Sequence, residues 1–79
     1  MGKNWNENND KLEKEFKFTS FSEALEFVNK CGAIFEKLDH HGDILMFDYK
    51  FVKISTTTHE QGNKLTQKDY DLVKEIDLL

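Results

Sequence analysis

The spacing of apolar residues changes along the chain, and each change marks an element. From Lys11 to Phe18, Leu12, Phe16 and Phe18 lie on one side of a two-residue period, with Glu13, Glu15 and Lys17 on the other. That period predicts a half-buried strand. A short strand around Trp5, over Lys3 to Asn6, precedes it. Asn8-Asn9-Asp10 reads as the intervening turn, because Asn and Asp tolerate left-handed backbone. Ser20-Phe21-Ser22-Glu23 has the pattern of a capping box. Behind it Ala24, Phe27, Val28 and Cys31 recur at helical spacing, an apolar stripe suited to lying on a sheet. Gly32 is expected to stop that helix in the left-handed region, and Ala33 to Leu38 to return as a strand. Asp48 to Thr57 reads as a longer strand, rich in β-branched and aromatic residues, and Gly62-Asn63 breaks it off. Thr66 then caps a last helix, with Asp69 in the place of the capping-box acid and Leu65 able to staple onto Tyr70. Leu72, Val73, Ile76 and Leu79 form its stripe.

The predicted order is β-β-α-β-β-α, an α+β fold. Hairpin-type connections imply a four-stranded antiparallel sheet with two helices on one face. The other face is left to water or to a partner subunit. In the run Ile44-Leu45-Met46-Phe47, four consecutive apolar residues of a strand cannot all face inward. At least two are expected to form a wall or an interface. With no repeat, linker or low-complexity tract, residues 1–79 read as a single domain.

Composition narrows the class. The chain has 79 residues, 38% of them hydrophobic and 13% aromatic, with seven Phe; that supports a core and argues against disorder. A chain this short buries only about 60% of its unfolded surface, so a homo-oligomer, dimer or tetramer, is expected. The net charge is −4, every basic residue is Lys, and no basic run occurs. No nucleic-acid partner is expected from such a surface. A lone cysteine, Cys31, cannot staple the fold and fits a reducing compartment. The N-terminus MGKNWNENND has no apolar signal stretch, and Ile44–Phe47 is far too short to span a membrane. A cytoplasmic domain with no membrane partner is the expectation.

The candidate chemistry lies in the histidines. There are three: His40 and His41, adjacent and followed by Gly42, and His59, in Thr58-His59-Glu60. An unperturbed imidazole, with a pKa of about 6.5, populates both protonation states near neutrality. Neighbours in a continuing strand point to opposite faces, so His40 and His41 reach one site only if the strand ends there, as Gly42 permits. Otherwise they are loop residues facing solvent. Adjacent histidines rarely chelate one ion together and no cysteine cluster joins them, so no metal is expected. Asp69 is explained by capping and the helix dipole alone, and Glu36 by a solvated strand position.

Taken in order, these pieces resemble a known family. FKFTSFSEALEFVNK, then Glu36 with His40 and His41 four and five residues on, then the aromatic Tyr49, then Thr58-His59-Glu60, then Leu65-Thr66 with Asp69, resemble the pterin-4a-carbinolamine dehydratases from Trp5 to the C-terminus. The resemblance implies loss of water from a 4a-hydroxytetrahydropterin to give quinonoid dihydropterin. Histidine acid/base catalysis would carry it, without metal or organic cofactor. It implies His40 and His59 as the acid/base pair and His41 as a residue holding the pterin. Glu36, Thr58, Glu60 and Asp69 would contact the substrate or orient an imidazole. Two departures stand out: Gly42 occupies the position where the family usually has Pro or another small residue, and the family's usual first helix is expected to be lacking. The resemblance also implies a second class of function. Some members act as dimerisation partners of a homeodomain transcription factor, so a non-catalytic interaction module is the alternative. A pterin-binding relative acting on another pterin is a third reading.

Overall fold

The computed structural model describes residues 5–58, 62 and 64–79. Its elements are β1 (Asn6–Asn8), β2 (Lys11–Lys17), α1 (Phe21–Leu38), β3 (Asp43–Phe47), β4 (Phe51–Thr56) and α2 (Gln67–Asp77). The four strands form one antiparallel sheet in the order β1-β2-β4-β3. The predicted fold class therefore stands, although several boundaries do not.

The N-terminal hairpin is displaced by a few residues. The first strand is Asn6–Asn8, with Trp5 buried just before it, and the turn is made by Asn9 and Asp10, both with positive φ. β2 then alternates as the sequence suggests: Leu12 is fully buried, and Phe16 packs against the core. The register sets Leu12 opposite Thr56 and Phe16 opposite Val52. The inward face of β4 is therefore Val52, Ile54 and Thr56, all buried.

The expected stop at Gly32 and the strand over Ala33–Leu38 are not observed: α1 continues unbroken to Leu38. Ile34 and Phe35 extend the stripe of Ala24, Phe27 and Cys31, and all five are buried. A helical glycine costs about 1 kcal/mol relative to alanine. Burying two large apolar side chains gains about 1.5–3 kcal/mol each, so the helix persists through it. The left-handed stop is Asp39, at φ 51°, whose N–H reaches the carbonyls of Glu36 and Phe35. At the other end Ser20 Oγ accepts from the Glu23 N–H at 3.2 Å. The Glu23 carboxylate turns to the N–H and hydroxyl of Thr19 rather than to Ser20.

The third strand is supplied instead by the apolar run, as β3, and the strand expected over Asp48–Thr57 begins only at Phe51. Asp48 and Tyr49, both with positive φ, turn the β3–β4 hairpin. In β3, Ile44 and Met46 pack toward the core, while Leu45 and Phe47 face out on the open side. In α2, Leu72, Val73 and Ile76 are buried, but Leu79 lies past the helix end and is exposed. Among the described residues no helix is long and apolar enough to cross a membrane.

Candidate active site

Three segment ends meet at one place: the loop after α1, the last residues of β4, and the first turn of α2. The inward period of β4 runs Val52, Ile54, Thr56 and continues past the strand to Thr58, so the buried face changes from hydrocarbon to hydroxyl at this end. α2 begins there. Thr66 Oγ1 accepts from the Lys68 N–H at 3.3 Å, and the Thr66 N–H donates to Asp69 Oδ2 at 3.0 Å. This is the capping box expected from the sequence.

Asp69 does more than cap the helix. It is 0% exposed, and both carboxylate oxygens are fully engaged. Oδ2 accepts from the Thr58 hydroxyl at 2.7 Å as well as from the Thr66 N–H. Oδ1 accepts from the Thr56 hydroxyl at 2.7 Å and faces His40 Nε2 at 2.7 Å. A carboxylate offers about four lone-pair sites, and all four have partners. Burial would raise the Asp69 pKa, but the hydrogen bonds of Thr58, His40, Thr56 and the Thr66 N–H outweigh it and hold it below the ordinary value. An ionised Asp69 can only accept, so in this pair His40 Nε2 is the donor.

His40 is 7% exposed and follows directly on the left-handed Asp39; its own N–H bonds to the Phe35 carbonyl at 3.1 Å. His41 points elsewhere. Its ring lies edge-on to Phe35 and its Nε2 meets Oε2 of Glu36, with the two side chains 56% and 77% exposed. Glu36 thus sits in the last turn of a helix, not in a strand, and pairs with the histidine five residues on. Gly42 is tightly held: a Cβ there would lie 2.4 Å from the Ser55 carbonyl oxygen and 3.3 Å from Phe35 Cζ.

Of the residues singled out in the sequence, the fold brings His40, Thr58 and Asp69 into one buried network and sets Glu36 with His41 at its rim. His59 and Glu60 lie outside the described residues. Thr58, the last residue before them, is buried, and its N–H and C=O pair with Lys64 at 3.0 and 3.3 Å. Thr56 is a member of the network that sequence reasoning missed; the signal was the inward period Val52, Ile54, Thr56, Thr58. Among the described residues no group of three or more His, Cys, Asp or Glu side chains could hold a metal ion. A cleft of about 520 Å³ opens toward the other ends of the two helices, lined in part by Phe16, Phe18, Phe27 and Ile76, and includes none of these residues.

The chain as a whole is similar to known proteins. The family model described as pterin 4 alpha carbinolamine dehydratase matches residues 1–79. A protein of Sulfolobus acidocaldarius, provisionally named pterin-4-alpha-carbinolamine dehydratase, is 42% identical over 72 residues, covering 91% of this chain and 77% of its own. A Picosynechococcus protein with the same provisional name is 44% identical over 75 residues, covering 95% and 79%. Among solved structures, a transcriptional coactivator/pterin dehydratase from Brucella melitensis superposes with a TM-score of 0.87 at 27% identity, over 96% of this chain and 81% of that one. A pterin dehydratase-like protein described as a RuBisCO assembly factor in the alpha-carboxysome shares the fold, with a TM-score of 0.77 at 21% identity, over 94% and 86%. With the model matched end to end, and relatives above 40% identity covered over three quarters of their length, the chain belongs to the pterin-4-alpha-carbinolamine dehydratase family.

Proposed function

We propose that the protein eliminates water from a 4a-hydroxytetrahydropterin to give the quinonoid dihydropterin, by histidine acid/base catalysis. The C4a–O bond breaks, the hydroxyl takes up a proton and leaves as water, and a ring nitrogen gives up a proton. No electrons are exchanged, so the chemistry requires proton donors and acceptors rather than a redox group. The observation that carries this reading is the buried pairing of His40 with Asp69. A carboxylate that fixes one imidazole nitrogen leaves the other aimed and available for proton transfer, a role worth roughly a hundred- to ten-thousand-fold in rate.

In this reading His40 exchanges its proton through Nδ1 and His59 is the complementary acid or base. The chain enters His59 directly from Thr58, which is bound to the same carboxylate as His40; that connectivity supports the pairing. His41 and Glu36, exposed at the rim, hold the flat ring, with Glu60 beside His59. Asp69 and Thr58 act from behind, through His40 and through the end of β4. The test is the dehydration of a synthetic 4a-hydroxytetrahydropterin followed by ultraviolet absorbance. Protein should exceed the buffer rate, and His59→Ala should remove about a hundredfold of the excess. Equal rates with and without protein would exclude the enzyme.

A second reading has its own observation. β3 is an edge strand of the sheet, and Leu45, 56% exposed, and Phe47 project from its open face. Edge strands with exposed apolar residues are ready sites for association. An interaction module would use this surface and be indifferent to substitution of the histidines.

A further inference from the structure

The oxygen of Asp69 that holds His40 is shared. Thr56 Oγ1 and His40 Nε2 both lie 2.7 Å from Oδ1, while Thr58 and the Thr66 N–H occupy Oδ2. Thr56 is buried in a strand whose preceding inward residues are Val52 and Ile54. A valine would continue that hydrocarbon face and avoid burying a hydroxyl, which is unfavourable unless it is hydrogen-bonded. The hydroxyl therefore has a local purpose: it donates to the carboxylate that pairs with His40.

We propose that Thr56 is a positioning residue for His40: by filling one lone pair of Asp69 Oδ1, it leaves a single acceptor site for the imidazole N–H. With Oδ2 pinned by two donors, the carboxylate cannot rotate. With one site left on Oδ1, the ring has one place to dock. Without the Thr56 hydroxyl, Oδ1 offers two sites and the ring can shift between them, carrying Nδ1 away from its working position. A shift of 1 Å can cost a hundredfold in rate; partial loosening is expected to cost roughly ten-fold. The kinetic consequence rests on the dehydratase reading, but the geometric one does not.

The experiment compares the wild-type chain with Thr56→Val, Thr56→Ala and Thr56→Ser. The first readout is solvent exchange of the His40 Nε2 proton, by nitrogen-15-edited NMR. Exchange should quicken about ten-fold in the Val and Ala variants and stay at the wild-type rate in Ser, which keeps the hydroxyl. The second readout is dehydration, where kcat should fall roughly ten-fold in Val and Ala with KM nearly unchanged, and Ser should restore it. A folded Thr56→Val protein with wild-type exchange would overturn the proposal. Should Val not fold, equal exchange in Ala and Ser would overturn it in the same way. The exchange result stands even if the wild type proves inactive, so failure of the enzyme reading and failure of this one are distinguishable.

Discussion

His40 and Asp69, 29 residues apart in the chain, meet through a buried hydrogen bond of 2.7 Å. The bond joins the end of one helix to the start of the other across the end of β4, so a single carboxylate serves as helix cap, strand anchor and imidazole partner. The fold and the candidate chemistry depend on the same four hydrogen bonds.

That dependence has a pH signature. The Asp69 carboxyl titrates below its ordinary value of 3.8 in the folded protein. The unfolded chain therefore binds the proton first as pH falls. The stabilisation is complete above about pH 4 and is lost as pH falls through the folded-state value. Urea unfolding across pH 7 to 3 should show wild-type stability declining in that acid range. Asp69→Asn should lack this part of the decline and be less stable at pH 7 by about 1–3 kcal/mol, since one oxygen of the carboxylate becomes a donor facing donors. Parallel curves for the two proteins would contradict the assignment.

Gly42 is predicted to be intolerant of a side chain. A Cβ placed there would meet the Ser55 carbonyl at 2.4 Å, a backbone atom that cannot swing aside. Gly42→Ala should destabilise by about 1–3 kcal/mol and displace the His40–His41 loop. Thermal unfolding and the His41 ring resonances would register both effects; an unchanged melting temperature would show that the loop has room.

Cys31 is fully buried in the core, and burial pushes its thiol pKa up to about 12. A neutral, enclosed thiol is a poor nucleophile. Labelling with an aromatic disulfide reagent at pH 8 should be slow in the native state and follow the unfolding curve in denaturant. Rapid stoichiometric labelling without denaturant would mean that α1 opens independently of the core.

Self-association, if it uses the β3 edge, depends on Leu45 and Phe47, which are exposed on the open face of the sheet. The double change Leu45→Lys and Phe47→Lys should shift sedimentation equilibrium toward the monomer while leaving the circular dichroism spectrum intact. A mass unaffected by these charges would place any interface elsewhere.

Much of the fold was legible because the polar and apolar positions alternate plainly. β2 and the stripe of α2 were read at nearly their observed bounds. The end of α1 differs from the expectation because Gly32 resembles a stop, whereas Ile34, Phe35 and Leu38 continue the helical spacing beyond it. The β3–β4 turn was missed because Asp48 and Tyr49 carry no glycine and so give no ordinary hairpin signal. The strand count survived since the apolar run took the place of the strand lost to the helix. At the candidate site, Asp69 was visible as a cap from local sequence, but its bond to His40 is a tertiary contact that no local pattern encodes. The histidines stand as candidates through family resemblance alone, and the hydroxyl of Thr56 shows its place only in the register of β4.

The most direct test compares initial rates of 4a-hydroxytetrahydropterin dehydration by the wild-type chain and by His40→Ala, at equal concentration of folded protein. The account predicts that, per folded molecule, His40→Ala is about a hundredfold slower. A variant as fast as the wild type would contradict it.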